Sequence, residues 1–512
     1  MAEEIVIWRD MGLLSAGLGD AGPCPDDLRM ALTPTMRYTF KEALRGFDRR
    51  DPQTGELRKF RFEDRKLYTI DRAERLVCGV GYLYKIRDAA EQLGYAVRYA
   101  ICHYDEMRPD ACEPDWENLG RRFSPRHRQD ECLAAMEAWQ CGRIDAGAGF
   151  GKSMIFAATG LLYPKARIVA VAKSAAVVQT IRNHALKLFP DVGQVGDGHD
   201  RVERFTVYTA DSLVARRESV DCDILLGDEI HQLCTPGYIE ALSVAGRFAR
   251  RYGGTANMED RFDGAHAELE GIFGPVIFRI PYEECVANGL IVPIEVRWHD
   301  VVLPRNPAAD YKMDHKRKEY GIWRNDERND LIAKLASEYP EDVQVLILVD
   351  KVVHAAELGR RLPASRLCYR ELDEEREADV FREGAIDRSR IFTSSRERQE
   401  LQQEFEGGKP GVYIATGTWQ QGVSSDSVSV VFRVDGCRST IMATQIPGRV
   451  CRIHEASGKA VGIVHDFCDQ FDEGYRLAAK DRQHDYARIG FRQVRAKDGV
   501  EIRIKSRKKK TT

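Results

Sequence analysis

The stretch Ala146-Gly147-Ala148-Gly149-Phe150-Gly151-Lys152-Ser153 decides the fold that the sequence predicts. A short strand precedes it and a helical stretch follows it, which is the context of a phosphate-binding loop. The glycines Gly147, Gly149 and Gly151 allow backbone N–H groups to close around phosphate oxygens, and the helix N-terminus adds a favourable potential. Lys152 would neutralise the β- and γ-phosphates of a nucleotide, and Ser153 would hold Mg²⁺. A glycine-rich turn that ends in Lys-Ser by chance is the alternative.

An acidic pair follows in the stretch Asp228-Glu229-Ile230-His231, at the end of an apolar strand. In an open parallel sheet the carboxyl ends of the strands face the ligand crevice. Asp228 would bind Mg²⁺ through water, and Glu229 would orient and deprotonate an attacking water. An acidic, solvated loop is the alternative, and it would be the better interpretation if no phosphate loop preceded the pair.

Short apolar strands alternate with amphipathic stretches on both sides of these motifs. Residues 168–172 and 223–226 have the apolar composition of buried parallel strands, and the same alternation returns after about residue 325. Two successive β-α series predict two doubly wound parallel-sheet α/β domains. We therefore expect domains at 121–300 and 326–485, joined by a linker at 301–325 and followed by a basic tail at 486–512.

Residues 1–120 predict a small α+β module. A turn is predicted by the composition of Asp51-Pro52-Gln53-Thr54-Gly55, and a strand after it is indicated by the alternation of Phe60 and Phe62. Ile86, Ala89, Ala90 and Leu93 have helical spacing, with Gly94 as the expected C-cap and a strand from Tyr95 to Ile101 after it. No catalytic pattern appears there, and we expect an accessory module that could bind DNA.

Composition excludes several classes of protein. The 512 residues are 43% hydrophobic and 31% charged, which excludes collagen-like, mucin-like and wholly disordered chains. No apolar run approaches the ~20 residues of a membrane span, and the first residues do not resemble a signal peptide, so we expect a cytosolic protein with no membrane partner. The 13 cysteines form no C-x-x-C pair, which argues against a disulfide framework and a structural zinc site.

The charge distribution points to a basic C-terminus. The formal net charge of the whole chain is −3, yet residues 488–512 hold ten Lys or Arg and two acids, a net charge of +8. Such a run gathers phosphates by counterion release, although a solvated terminus explains it equally well.

The order of the motifs resembles that of superfamily-2 helicases of the DEAH/DExH type, which use ATP and Mg²⁺ and have two tandem RecA-like domains. Gln129 stands where that family has an adenine-reading glutamine, and Lys173-Ser174 stands at motif Ia. Asp228-Glu229-Ile230-His231 resembles motif II, and Gly254-Thr255-Ala256-Asn257 resembles motif III, so the resemblance implies that His231 and Thr255 couple hydrolysis to movement.

The second α/β series contains two further motif-like stretches. Residues 416–424 resemble motif V and include Gly422, and residues 445–452 resemble motif VI. The resemblance implies that Gln445, Arg449 and Arg452 serve catalysis and that Gly422 contacts the nucleotide. Arginines that reach the γ-phosphate stabilise charge during phosphoryl transfer. Helix-face arginines on a surface turn are the alternative, which the six motif-like segments in family order disfavour.

Within the superfamily, Gly422-Val423-Ser424 and His465-Asp466-Phe467-Cys468-Asp469 resemble phage UvsW-type DNA helicases. This resemblance implies a bacterial or phage-infected host cytosol and a role in recombination, repair or replication-fork processing. Two motifs depart from the family pattern: motif III carries Asn257 where the family has Thr-Pro after Ala, and motif Ia lacks its usual Pro-Thr.

Superfamily-2 motors hold the nucleic-acid backbone across both α/β domains, and the positions that would do so here are Ser174, Thr209, Ser394 and Thr418. Each hydroxyl could instead be a simple turn or cap residue. Backbone contacts carry little base information, so we expect weak sequence specificity. The prediction is an ATP-dependent helicase or translocase on branched, duplex or single-stranded DNA. The alternatives are an RNA-dependent ATPase and a weakly hydrolysing ATP-binding subunit of a larger defence or repair complex.

Overall fold

The computed structural model describes residues 3–10, 12–43, 60–102, 107–246, 248–256, 264–381, 384–419, 425–438 and 440–504. The chain divides into two compact units. The first comprises Met1–Ala146 and Gly151–Ile280, and the second comprises Gly147–Phe150 and Pro281–Thr512. None of the described helices is both long and apolar enough to cross a bilayer.

The first unit begins with a small module of strands and helices. A five-stranded sheet has the order β5-β6-β2-β1-β7, in which only the β1–β7 pair is parallel, and β3 and β4 form a separate two-stranded ribbon. The elements are β1 (Glu4–Asp10), β2 (Leu13–Leu18), α1 (Asp26–Leu32), β3 (Arg37–Ala43), β4 (Phe60–Lys66), β5 (Tyr68–Ile70), β6 (Leu76–Gly79), α2 (Leu83–Gln92), β7 (Ala96–Ile101) and α3 (Trp116–Arg122). The predicted α+β module is confirmed: Ile86 and Ala90 are buried on α2, and Gly94 follows the helix with φ +87°.

The rest of the first unit is an open α/β sheet of eight strands with the order β11-β10-β12-β9-β13-β14-β8-β15. The strands pair in parallel except at β10–β11. Every residue of β9 and β13 is buried, as expected of strands that helices cover on both faces. The elements are α4 (Gln129–Ala138), β8 (Cys141–Ala146), α5 (Lys152–Leu162), β9 (Ile168–Ala172), α6 (Ala175–Leu186), β10 (Gly193–Gly196), β11 (His199–Arg201), β12 (Phe205–Thr209), α7 (Ala210–Arg216), β13 (Ile224–Asp228), α8 (Pro236–Val244), β14 (Arg250–Thr255), α9 (Glu268–Phe273) and β15 (Val276–Ile280).

The second unit is a further parallel α/β sheet of eight strands, with the order β19-β18-β20-β17-β21-β22-β16-β23. Its core is built from Val345, Ile347, Ile414, Phe432 and Phe467, all of them buried. The elements are α10 (Tyr282–Ala287), β16 (Ile294–Val301), α11 (Asp314–Lys318), α12 (Asp326–Ser337), β17 (Gln344–Leu348), α13 (Val352–Arg361), β18 (Arg366–Cys368), α14 (Glu374–Val380), β19 (Ile391–Phe392), α15 (Ser395–Glu406), β20 (Gly411–Ala415), β21 (Val430–Arg433), α16 (Thr440–Gln445), β22 (Gly462–Asp469), α17 (Glu473–Ile489) and β23 (Arg492–Arg495).

The structure moves three of the predicted domain boundaries. The first α/β domain ends near Ile280 rather than at 300, because β16 pairs with β22 and β23 in the second sheet. The expected linker at 301–325 contains α11 and a π-helical turn, Glu319–Trp323, in which Ile322 and Trp323 are buried. The expected tail contributes β23 to the second sheet, and residues 505–512 lie outside the described part of the chain.

The N-terminal module packs closely on the first α/β sheet, so the boundary predicted at residue 120 separates no compact unit. Three glycines make this packing possible. A Cβ atom at Gly12 would lie 2.0 Å from the carbonyl oxygen of Ser243, one at Gly79 would lie 2.1 Å from that of Gly271, and one at Gly81 would lie 1.9 Å from that of Glu270. Only glycine allows the two backbones to approach this closely.

Candidate nucleotide-binding site

The loop between β8 and α5 has the backbone conformation that a phosphate-binding loop needs. Gly149 and Gly151 have φ of +87° and +95°, in the left-handed region that favours glycine, and Gly151 is the N-cap of α5. A Cβ atom at Gly151 would lie 2.8 Å from both Arg126 Nη2 and Gln129 Nε2. Gln129 is buried and its Oε1 accepts a hydrogen bond from the Arg126 backbone N–H at 3.0 Å. The side chain expected to select adenine therefore lies against the loop.

Lys152 and Ser153 occupy the first turn of α5 and point to different partners. The Lys152 side chain is mostly buried, and its Nζ donates a hydrogen bond to the carbonyl oxygen of Ala146 at 2.8 Å. The Ser153 hydroxyl donates to Asp228 Oδ2 at 2.8 Å. The structure thus brings together the two residues that the sequence predicts as magnesium ligands, from α5 and from the end of β13.

Asp228 and Glu229 are adjacent carboxyl groups in different environments. Burial raises the pKa of Asp228, and the neighbouring Glu229 carboxylate raises it further. Burial also acts to raise the pKa of Glu229, but the Lys152 ammonium and His231 hold it below its ordinary value. Glu229 has φ +49°, a left-handed conformation that is uncommon for a residue with a side chain. Glu229 is therefore the more readily ionised of the two carboxyl groups, and its side chain is partly exposed.

A short chain of polar contacts connects Glu229 to the end of β14. His231 Nδ1 lies 3.2 Å from Glu229 Oε2 and 2.8 Å from Thr255 Oγ1. His231 and Thr255 are both buried, and the register of β13 and β14 places Asp228 beside Gly254. The two residues predicted to couple hydrolysis to movement therefore contact each other directly.

The residues of the first unit fit a Mg²⁺-bound nucleoside triphosphate. The hydroxyl of Ser153 and the carboxylate of Asp228 are hard oxygen donors, which Mg²⁺ prefers. Lys152 supplies a cation beside them, and the glycine conformations leave backbone N–H groups able to face phosphate oxygens. Among the residues that the structure describes, no group of three or more His, Cys, Asp or Glu side chains could hold a metal.

Three of the four predicted nucleic-acid contacts are helix N-caps at the carboxyl ends of strands. Ser174 Oγ accepts from the Val177 N–H at 3.2 Å, and Thr209 Oγ1 accepts from the Ser212 N–H at 3.3 Å. Ser394 caps α15 in a capping box with Glu397. The Thr418 side chain lies outside the described residues. The capping role accounts for these hydroxyls structurally, and contact with nucleic acid stays a prediction for all four.

The second unit carries the predicted motif VI residues at the end of α16 and in the segment that follows it. Gln445 is the last residue of α16 and is partly buried. Arg449 is mostly buried, and burial, followed by the nearby Arg452, lowers its pKa to about 10. Arg452 pairs with Asp426 at 3.2 Å. Gly422 lies outside the described residues, so its predicted contact with the nucleotide stays a prediction.

Sequence reasoning missed two features of this region. One is Arg126, which reaches the loop at Gly151 and precedes the predicted adenine-reading Gln129 by three residues. Its position three residues before Gln129 is the signal in the sequence that could have identified Arg126. The other is the ribbon of β3 and β4, whose Tyr38 hydroxyl donates to Glu268 of α9. No sequence pattern links positions 230 residues apart.

Known proteins are similar to this chain in sequence or in fold. No protein-family model matches the chain. It is 25% identical to a DNA 3'-5' translocase XPB2 of Sulfurisphaera tokodaii over 378 residues, covering 69% of this chain and 84% of the relative. The solved structure of S. cerevisiae Dbp5 bound to RNA and ADP BeF3 aligns with 77% of this chain and 95% of Dbp5, with 14% identity and a TM-score of 0.53. The chain is thus similar in sequence to a DNA translocase and similar in fold to Dbp5.

Two further proteins are similar to this chain. A DNA 3'-5' helicase XPB of Mycobacterium tuberculosis is 23% identical over 276 residues, and the match spans 51% of this chain and only half of the relative. T4 UvsW aligns with 96% of this chain and 99% of UvsW, at 15% identity and a TM-score of 0.39. The predicted tandem α/β architecture with a small N-terminal sheet is confirmed by the strand orders of the sheets themselves.

Proposed function

We propose that the protein is a nucleic-acid-stimulated ATPase that works as a DNA helicase or translocase, remodelling or unwinding branched or duplex DNA. The observation that carries the proposal is the polar cluster at the ends of β13 and β14, where Ser153 contacts Asp228 and Glu229 contacts His231. The relatives named as DNA 3'-5' translocase and helicase support DNA as the partner.

The phosphate-binding half of the site uses α5 and the loop before it. Bound ATP with Mg²⁺ would supply the β- and γ-phosphates and the cation that neutralises them. Lys152 would exchange its bond to the Ala146 carbonyl for phosphate oxygens, and Ser153 with Asp228 would hold the cation. Gln129 would recognise the adenine, since it already lies against Gly151.

Glu229 would act as the general base. Its ionised carboxylate is the form that can accept a proton from water, and the buried Asp228 beside it is better suited to binding the cation. His231 would position Glu229, and Thr255 would position His231, because the three side chains form one continuous chain. This chain is the proposed link between hydrolysis and the movement of the motor.

The second unit would contribute charge stabilisation. Arg449 and Arg452 would act as the arginines that stabilise the transferring phosphoryl group, with Gln445 beside them and Gly422 near the nucleotide. Ser174, Thr209, Ser394 and Thr418 would contact the backbone of the nucleic acid. A role in recombination, repair or replication-fork processing belongs to the same proposal.

The test is steady-state ATP hydrolysis with no nucleic acid, single-stranded DNA, duplex DNA, a four-way junction and matched RNA. Lys152→Ala is the inactive reference, and Lys165→Ala, an exposed lysine after α5, is the matched control. Stimulation by DNA that Lys152→Ala abolishes and Lys165→Ala retains is the expected result. Stimulation by RNA alone would assign the protein to RNA through the 2'-hydroxyl. Tight ATP binding without turnover under every condition would instead favour an ATP-binding subunit.

A further inference from the structure

The ribbon of β3 and β4 has two chemically different faces. Its strands pair antiparallel over seven residues, from Arg37 opposite Lys66 to Ala43 opposite Phe60. Because side chains alternate along a strand, Tyr38, Phe40 and Arg65 share one face, which we call the inner face. Arg37, Thr39, Lys41, Phe62, Asp64 and Lys66 share the opposite, outer face.

The inner face is held against the first α/β sheet. The Tyr38 hydroxyl donates to Glu268 Oε1, and Arg65 Nη1 lies 3.6 Å from the same oxygen. The Arg65 guanidinium lies over the Phe40 ring at 3.8 Å, and Phe40 packs on the hydrophobic core beneath. The ribbon is therefore anchored to α9 and presents its outer face in a defined orientation.

The outer face is exposed, basic and aromatic. Phe62 is 63% exposed, so most of its side chain faces solvent. Lys41 Nζ lies 5.8 Å from the centre of the Phe62 ring, and Arg37 and Lys66 are exposed on the same face. The outer face thus carries three cations, one carboxylate, that of Asp64, and one exposed ring, and Lys41 is the cation beside that ring.

We propose that this outer face binds a segment of single-stranded nucleic acid, with an unpaired base stacked on Phe62 and phosphates held by Lys41 and Lys66. A β surface that presents an aromatic ring beside cations can bind unpaired bases, because every base has a π-face. The proposal rests on the proposed function and extends it by assigning a strand-binding surface outside the α/β domains.

The charge pattern favours this partner over others. An acidic peptide would pair with the cations but would leave the Phe62 ring without a stacking partner. Duplex DNA would offer phosphates, while its bases are already stacked on one another and closed to the ring. A strand with unpaired bases satisfies both the cations and the ring.

The ribbon of β3 and β4 belongs to the same compact unit as Lys152 and Asp228 of the nucleotide site. Glu268 lies in α9, which follows the Thr255 end of β14 in the same compact unit. The backbones of Thr39 and Gly264 also approach each other closely. A Cβ atom at Gly264 would lie 3.0 Å from the carbonyl oxygen of Thr39. A strand on the outer face would accordingly be held by the unit that contains Lys152 and Asp228.

The test is equilibrium binding of the full-length protein to a fluorescent oligothymidylate, measured by anisotropy without ATP over a range of salt concentrations. For Lys41→Ala/Lys66→Ala we expect weaker binding and a slope of log K against log salt reduced in magnitude by about 1.4. For Phe62→Ala we expect at least a fivefold loss of affinity with an unchanged slope, and for Phe62→Tyr near wild-type binding, since stacking on one base is worth about that much. Arg72→Ala, an exposed cation of the same module off the ribbon, is the matched control and should bind like wild type.

The outcomes separate this proposal from the proposed function. Wild-type affinity in both ribbon variants, or an equal loss in Arg72→Ala, would overturn the proposal. A loss confined to duplex DNA would also overturn it and would assign the face to a duplex. If no nucleic acid stimulates ATP hydrolysis while the ribbon variants still lose oligothymidylate binding, the motor proposal fails and the strand-binding surface stands.

Discussion

Replacing Thr255 by valine removes one hydroxyl from the chain that positions Glu229. Thr255 Oγ1 lies 2.8 Å from His231 Nδ1 and also hydrogen-bonds the Glu229 carboxylate, and both Thr255 and His231 are buried. Losing hydrogen bonds to buried and charged groups costs ~1–3 kcal/mol. If that energy is lost from the placement of Glu229 in the transition state, kcat falls by about 5- to 160-fold. Thr255→Ser keeps the oxygen and should stay within about threefold of wild type.

The same substitution should shift the pH dependence of hydrolysis. Burial raises the pKa of Glu229, while Lys152, His231 and Thr255 lower it. Without the hydroxyl of Thr255 the pKa rises, and a general base with a higher pKa loses activity at a higher pH on the acid side of the profile. The assay is nucleic-acid-stimulated kcat measured from about pH 5 to 9 for both variants, with thermal unfolding as the check on folding. An unchanged acid limb in Thr255→Val, or an equal loss in Thr255→Ser, would refute the positioning role.

Three further predictions concern stability. Gly81→Ala should lower the melting temperature by about 2–8 °C in a thermal scan, since overpacking against backbone costs ~1–3 kcal/mol. Gly120 in α3 has open space around it, so Gly120→Ala should be neutral or slightly stabilising. Asp228→Asn should raise the melting temperature of the nucleotide-free protein at pH 7–8. The fold raises the pKa of Asp228, so ionisation of this carboxyl group opposes folding as the pH rises. The gain in melting temperature should therefore vanish in scans near pH 4. Arg328→Met should destabilise the second unit by about 3–5 kcal/mol in denaturant titration, because it removes the cation that pairs with the buried carboxylate of Asp469. Adding Asp469→Leu to the same chain should recover most of the lost stability.

The sequence predicted those elements whose pattern is local. The uniformly apolar runs of β9 and β13 are buried along their whole length, and the helix after the phosphate loop begins at Lys152. The contact between Ser153 and Asp228 followed from a general rule, since both residues stand at the carboxyl edge of one parallel sheet. Neither prediction needed knowledge of distant pairing.

The predictions that changed depended on long-range pairing. The alternation of buried and partly buried residues in β16 indicates a strand, but nothing local tells which sheet it joins. Trp323 looked like part of a charged linker because its neighbours are polar, while its burial is decided by packing in the second unit. The anchoring of Tyr38 on Glu268 likewise joins residues that no periodicity connects.

The position of β16 has a consequence for synthesis on the ribosome. All eight of its residues pair with β22, so Ile294 cannot pair until Gly462, about 170 residues further along the chain, has been synthesised. At 5–20 residues per second this delay is about 8–34 s, a period in which the first unit can fold completely. Until then β16 is a strand with one apolar face and open edges inside an unfinished sheet. A nascent chain that stalls between α11 and β22 should therefore depend on chaperones for its second half alone.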